Sequence, residues 1–243
     1  MRLALVTPTG DRPLCFRLMR HWLSRQTDSD FAHVVVDDGK NALCEEDLDG
    51  VDVYVRRSPL ADDPSHTLST NLATVIENLR AYDGIAFAED DEYFHPRYVE
   101  RVKAMLEKGD LVGERKAKYY HLFARKWIFW NTHKHCSLCR TAMSTKHLDK
   151  LVEHCASPDP SVDMRLWDDK RIVKKYVEDG RWYEVLLTVS MKGMPGRVGK
   201  GGWHWEPARL PSSYQPDPDM KMFRAWLGVD AATYCSLLED VRR

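Results

Sequence analysis

The stretch IAFAEDDEYFHP, Ile85 to Pro96, runs from apolar residues into four consecutive acids, Glu89, Asp90, Asp91 and Glu92, then an aromatic pair and a proline. Carboxylates gathered at the end of a buried strand repel one another unless something cationic joins them. A hard divalent ion, Mg2+ or Mn2+, takes oxygen ligands and can bind phosphate oxygens at the same time. The bland alternative is a solvated acidic turn. A second candidate is KGMPGRVGKGGWHW, in which a glycine-rich backbone carries Lys192, Arg197, Lys200 and His204. Basic side chains and backbone N–H groups on such a segment suit a pyrophosphate. A third is HKHCSLCR, where His133, His135, Cys136 and Cys139, with His154 and Cys155 of EHC, would make a zinc set. Its second half lacks a regular CxxC or HxxxH spacing, a single CxxC is a weak signal, and the plain reading is buried thiols.

The elements that must position these groups follow from hydrophobic pattern. Leu3 to Val6 reads as a buried strand, TPTGDRP as a polar turn, and Pro13 as the opening of a helix through LCFRLMRHWLSRQ. AHVVVDDGK and VDVYVRR are further strands, and LSTNLATVIENLRAY is a helix leading into the strand GIAFAEDD. Strands alternating with helices predict an α/β fold with a mainly parallel, Rossmann-type sheet flanked by helices. Ligands of such sheets gather outside the carboxyl ends of the strands, where Thr7 to Thr9, Asp37 to Gly39 and Glu89 to Asp91 fall.

After residue 115 the character changes. Arg115 to Lys146 holds eight Lys or Arg and no acid, interleaved with Tyr119, Tyr120, Phe123, Trp127, Phe129 and Trp130. That pattern predicts a basic, aromatic insertion, whose functional reading is phosphate neutralisation plus base stacking; the plain one is core aromatics beneath a solvated charged face. The 36 Lys and Arg against 37 Asp and Glu exclude a polycation, so partner electrostatics must be local. The apolar run before Pro8 is too short for a signal segment, and no later run approaches a membrane span; the expectation is a cytoplasmic protein with its six cysteines reduced.

ALVTPTGDRP, HVVVDDGK, the helix with Asn71, and AFAEDDEYFHPRYVE resemble, in order and separation, the family 2 type glycosyltransferases of the A fold, over roughly residues 3 to 100. The resemblance implies a nucleotide-diphospho-sugar donor and a Mn2+ or Mg2+ cofactor. Asp38 would accept a hydrogen bond from the nucleobase, Thr7, Pro8 and Thr9 would flank it, and Arg12, Asn71, Glu89 and Asp90 would make donor contacts. Asp91 would hold the metal, with Glu89 standing where the family's first acid is an Asp, and His204 would be the late-loop histidine added to the metal. Lys192 and Arg197 would close over the diphosphate. SVDMRLWDD resembles the family's E-D-x-D-L segment, so Asp163 would be the general base of an inverting, single-displacement reaction, with Arg165 replacing the second acid; the plain reading is that Asp163 caps a helix beginning at Met164.

On this reading residues 1–205 form one transferase-like domain, 1–100 binding the donor and 101–205 the acceptor, and 206–243 form a helical tail packed on it. The acceptor would be a saccharide or, through Arg115 to Lys146, a modified base in DNA that must be exposed to reach Asp163. The rival readings are a nucleic-acid-binding or zinc-binding module and a metal-dependent phosphodiester or nucleotidyl enzyme.

Overall fold

The computed structural model describes residues 1–61, 63, 67–132, 134–157, 161–176, 187–196 and 207–241. Along the chain, β1 (Leu3–Thr9) leads into α1 (Pro13–Leu23), β2 (Phe31–Asp37), the short α2 (Glu45–Leu48) and β3 (Val53–Arg56). Then come α3 (Leu68–Leu79), β4 (Gly84–Phe87), β5 (Glu92–Phe94), α4 (Tyr98–Leu106) and β6 (Leu111–Gly113). The hairpin β7 (Lys116–His121) and β8 (Lys126–Asn131) precedes β9 (Thr141–Ser144), α5 (Leu148–Cys155), α6 (Val162–Asp168) and β10 (Lys174–Tyr176). β11 (Thr188–Lys192), β12 (Gln215–Pro216), α7 (Lys221–Leu227) and α8 (Ala231–Val241) complete it.

The main sheet has seven strands in the order β10-β6-β9-β4-β1-β2-β3. β1 pairs in parallel with both β2 and β4, β2 with β3, and β6 with β10; β9 runs antiparallel between β4 and β6. The mainly parallel expectation holds, and β1 and β4 are apolar runs because helices cover both faces of the sheet. On one face α1 buries Cys15, Phe16, Met19, Trp22 and Leu23, the stripe that its 3.6-residue period dictates. On the other, α3 buries Leu72, Val75, Ile76 and Leu79 against Val34, Val36, Ile85 and Phe87.

A second, five-stranded sheet, β12-β8-β7-β11-β5, stands against the first. In it β5 pairs antiparallel with β11, placing Glu92 opposite Ser190. The pairing extends as the Met191 N–H donates to the Asp91 carbonyl at 2.9 Å, so Lys192 arrives beside the acids.

Arg115 to Lys146 is less of a surface insertion than its composition suggests. Tyr120, Ile128, Cys136, Leu138 and Cys139 are core, Lys118 is buried on Glu114 at 2.7 Å, and Arg140 is buried too. Burial is tolerated because each of these cations has carboxylate or carbonyl partners. Lys134, Lys146 and Trp130 remain exposed. The helix expected at Met164 begins at Val162. In the C-terminal stretch, Trp22 Nε1 donates to the Tyr234 hydroxyl at 2.8 Å and Phe223 packs 4.5 Å from Tyr120 between ring centroids. Tyr93 and Arg25 both reach Asp230. Among the described residues no helix is long and apolar enough to cross a membrane.

Candidate active site at the carboxyl ends of the strands

The loops after β1, β2 and β4 meet. Thr9 Oγ1 donates to Asp90 Oδ2 at 2.8 Å, and Arg12 donates to Asp90 Oδ1 at 2.8 Å while its other nitrogen lies 3.3 Å from Asp91 Oδ2. The Asp38 N–H donates to the Thr9 carbonyl at 3.0 Å, continuing the β1–β2 register. Asp11, at a left-handed φ of 55°, accepts from the Lys40 N–H at 2.9 Å and ties the first turn to the second. The approach is so close that a Cβ on Gly39 would stand 2.6 Å from the Asp11 nitrogen, which is why a glycine follows the two acids.

Asp37 and Asp38 divide their work. Asp37 is structural, accepting from Gly39 N–H, Leu43 N–H and the Tyr54 hydroxyl. Asp38 accepts from Arg57 at 3.0 Å, and the same guanidinium donates to Asn71 Oδ1 at 2.7 Å and to both oxygens of Asp63 at 2.8 and 2.9 Å. Arg57 therefore joins two residues that the sequence had singled out separately. It was missed because an arginine just past a strand looks like a solvated end. Thr7 is buried and its hydroxyl bonds His33 Nε2 at 3.0 Å, so it supports the strand from within; Pro8 stays partly open.

The acids of 89–92 surround a lysine. Lys192 Nζ donates to Asp91 Oδ2 at 3.0 Å and lies 4.0 Å from Glu92 Oε1. Ser190 donates to Glu92 Oε2 at 2.9 Å and accepts from Arg140, whose guanidinium also stands 3.7 Å from that carboxylate. The Tyr119 ring lies 5.9 Å from the Lys192 ammonium and 5.1 Å from the Arg140 guanidinium carbon, a π face that favours both cations. Burial works against ionising Asp91, yet Lys192 and Arg12 outweigh it and hold the carboxyl well below its ordinary range. For Glu89 the balance goes the other way: burial, then the charges of Asp91 and Glu92, outweigh the pull of Lys192 and push it up to about 8. Burial likewise raises Asp163, in the first turn of α6, whose Oδ1 accepts from the Met164 N–H at 2.9 Å. Asp163 is near enough to Glu89 for its charge to raise that carboxyl further. Arg197 and His204 lie outside the described residues.

A divalent ion can be tested against these donors. At Asp91 it would meet an ammonium and a guanidinium already in place. Two unit charges about 4 Å apart repel by roughly 4 kcal/mol at an effective dielectric of 20, and a divalent ion doubles that, so the ion does not fit there with both cations present. The remaining group is Glu89, Glu92 and Cys139, with ligand atoms within 4.8 Å of one another. Glu92 Oε1 is buried without a hydrogen bond, which suits a cation, whereas the thiol is a poor partner for Mg2+ or Mn2+. Among the described residues this is the one group of three or more such side chains close enough to share an ion, and Cys136 and His154 are not in it. His154 instead bonds Asp169 at 3.0 Å.

No protein-family model and no curated protein matches the sequence. Solved structures match the fold. Residues 1–349 of S. aureus TarS, a family 2 glycosyltransferase, superpose with a TM-score of 0.55 at 12% identity, over 79% of this chain and 60% of that one. This chain has the A fold. A second S. aureus TarS structure gives 0.51 at 13% identity, over 76% of this chain and 38% of that one. The A-fold chain described here thus spans about 60% of the TarS 1–349 length it matches. TarS 1–349 has also been crystallised with UDP and with UDP-GlcNAc.

Proposed function

We propose that this chain is a glycosyltransferase that moves a sugar from a nucleoside-diphospho-sugar to an acceptor hydroxyl, with inversion. The observation that carries the reading is the meeting of three strand-end loops, where Arg12 and Lys192 face the carboxylates of 89–92 and Asp163 lies near enough to Glu89 to act on its charge. In an A fold this is where a donor belongs. The nucleoside end falls to Asp38, with Asn71 and Arg57 fixing it, and the diphosphate to the cations.

In a single displacement the acceptor oxygen forms the new bond to the sugar C1 as the C1–O bond to the diphosphate breaks. The electron pair leaves on a phosphate oxygen, and the acceptor proton passes to Asp163. Burial that raises Asp163 brings its basicity closer to what that transfer needs. A Mn2+ or Mg2+ ion at Asp91, where the resemblance has it, is opposed by Lys192 and Arg12, and no step of the transfer is routed through it. The acceptor is a saccharide or a hydroxylated base in DNA, the latter resting on exposed Trp130, Lys134 and Lys146 of the basic segment.

The test is incubation with a panel of nucleotide-sugars and two acceptor classes, hydroxymethylated DNA and oligosaccharides, reading nucleoside diphosphate release and acceptor mass together. Stoichiometric release with a hexose-sized mass gain supports the proposal. Pyrophosphate or nucleoside monophosphate release, or DNA binding with no nucleotide-sugar consumed, refutes it.

A further inference from the structure

The four acids are organised around side-chain cations that the chain itself delivers. Lys192 reaches Asp91 because β11 pairs with β5, a register set by backbone hydrogen bonds, so its place belongs to the fold. The turn that follows is also built for closeness. Gly193 and Gly196 take φ of 83° and 116°, and a Cβ on Gly196 would stand 2.7 Å from Arg12 Cγ and 2.8 Å from the Asp11 carbonyl. The backbone of 193–196 is thereby laid against Arg12, and the Cys15 thiol meets the Pro195 carbonyl at 3.5 Å. Lys192 and Arg12 converge on one oxygen, Asp91 Oδ2, and keep 17% exposure each against 13% for Asp91, so all three are partly open to solvent.

We propose that the Lys192 ammonium and the Arg12 guanidinium, aligned by Asp91, neutralise the donor diphosphate in place of a divalent ion, so that this chain binds its donor without metal. The inference rests on the transferase reading above. Two side chains bring the two positive charges that a Mn2+ would bring, and both are donors, as phosphate oxygens require. In the transfer step the electron pair of the breaking C1–O bond ends on a phosphate oxygen within their reach, and the acceptor proton still goes to Asp163. Asp91 then orients the cations, and the lysine is the reason for the local excess of acid. Asp91 needs no free lone pair for an ion.

Calorimetric titration and thermal shift with UDP, GDP, ADP, CDP and dTDP, each in EDTA and in Mn2+, test this on the full chain. The expected result is that one of them binds and raises the Tm in EDTA as much as in Mn2+. Lys192→Met should weaken that binding about 10- to 100-fold, the loss of a charged hydrogen bond, while Lys192→Arg should keep it metal-independent. Binding that requires Mn2+ overturns the inference and leaves the transferase reading standing. Undiminished binding by Lys192→Met also overturns it. No binding by any nucleotide in either condition overturns both. Should Lys192→Met fail to fold, the wild-type comparison and Lys192→Arg still decide.

Discussion

His33 gives the protein a pH-dependent stability that can be worked out from its surroundings. The side chain lies in β2, 4% exposed, with its ring stacked on Phe16 at 6.0 Å and its Nε2 3.0 Å from Thr7 Oγ1. Burial, helped by the charge of Arg20, lowers its pKa from 6.5 to about 3. The folded state therefore holds the ring neutral, and its contribution is complete above the unfolded pKa and is lost as pH falls from 6.5 towards 3. Each unit below 6.5 costs about 1.4 kcal/mol, so moving from pH 8 to pH 5 removes about 2 kcal/mol. In a chain of this length that corresponds to roughly 4–8 °C in Tm. Buried carboxyls such as Glu89, raised to about 8, act with the opposite sign and stabilise as pH falls. The informative quantity is thus a difference: the pH 8 to pH 5 change in urea-unfolding free energy, wild type minus His33→Gln. The variant is less stable at pH 8 but should fall about 2 kcal/mol less on acidification. Identical pH dependence in the two proteins would refute the argument that His33 is locked neutral.

Asp163→Asn should keep nucleoside diphosphate binding within about twofold while transfer drops about 10²- to 10⁴-fold, the usual worth of a general base; equal loss of both would make Asp163 a structural residue. Phe223→Ala should cost about 3–5 kcal/mol, since the ring is fully buried between Tyr120 and Tyr234. In thermal unfolding that is about 6–20 °C, and a Tm within about 2 °C of wild type would mean that the C-terminal helices pack on the body without supporting it.

The first hundred residues were legible because their signals are local. LALV and GIAF are short apolar runs that helices cover on both faces, α3 carries an unbroken 3.6-residue stripe, and the polar strand ends sit where a parallel sheet must leave them. The cations that grip the acids of 89–92 were not legible, because they come from far along the chain. Arg140 reaches Glu92 from a short turn before β9, 48 residues on. A charge count over Arg115 to Lys146 sees Arg140 but not the Glu92 that lies beside it in the fold. Lys192 was visible as a basic residue on a glycine-rich segment, yet its attachment to Asp91 depends on β5 and β11 pairing antiparallel, which no local pattern announces.

That pairing has a consequence for how the site comes into being. Asp91 and Lys192 are 101 residues apart. At about 5–20 residues per second, a ribosome needs on the order of 5–20 s to deliver the lysine after the aspartate. Over that interval the nascent chain already holds every strand-end acid of its first half, with their mutual repulsion balanced by Arg12 alone among the two cations that finally grip Asp91. Closing so long a loop is entropically slow and is rewarded only when β11 docks. The cleft is therefore expected to be a late product of folding, formed when β11 docks on β5 rather than when the parallel core condenses.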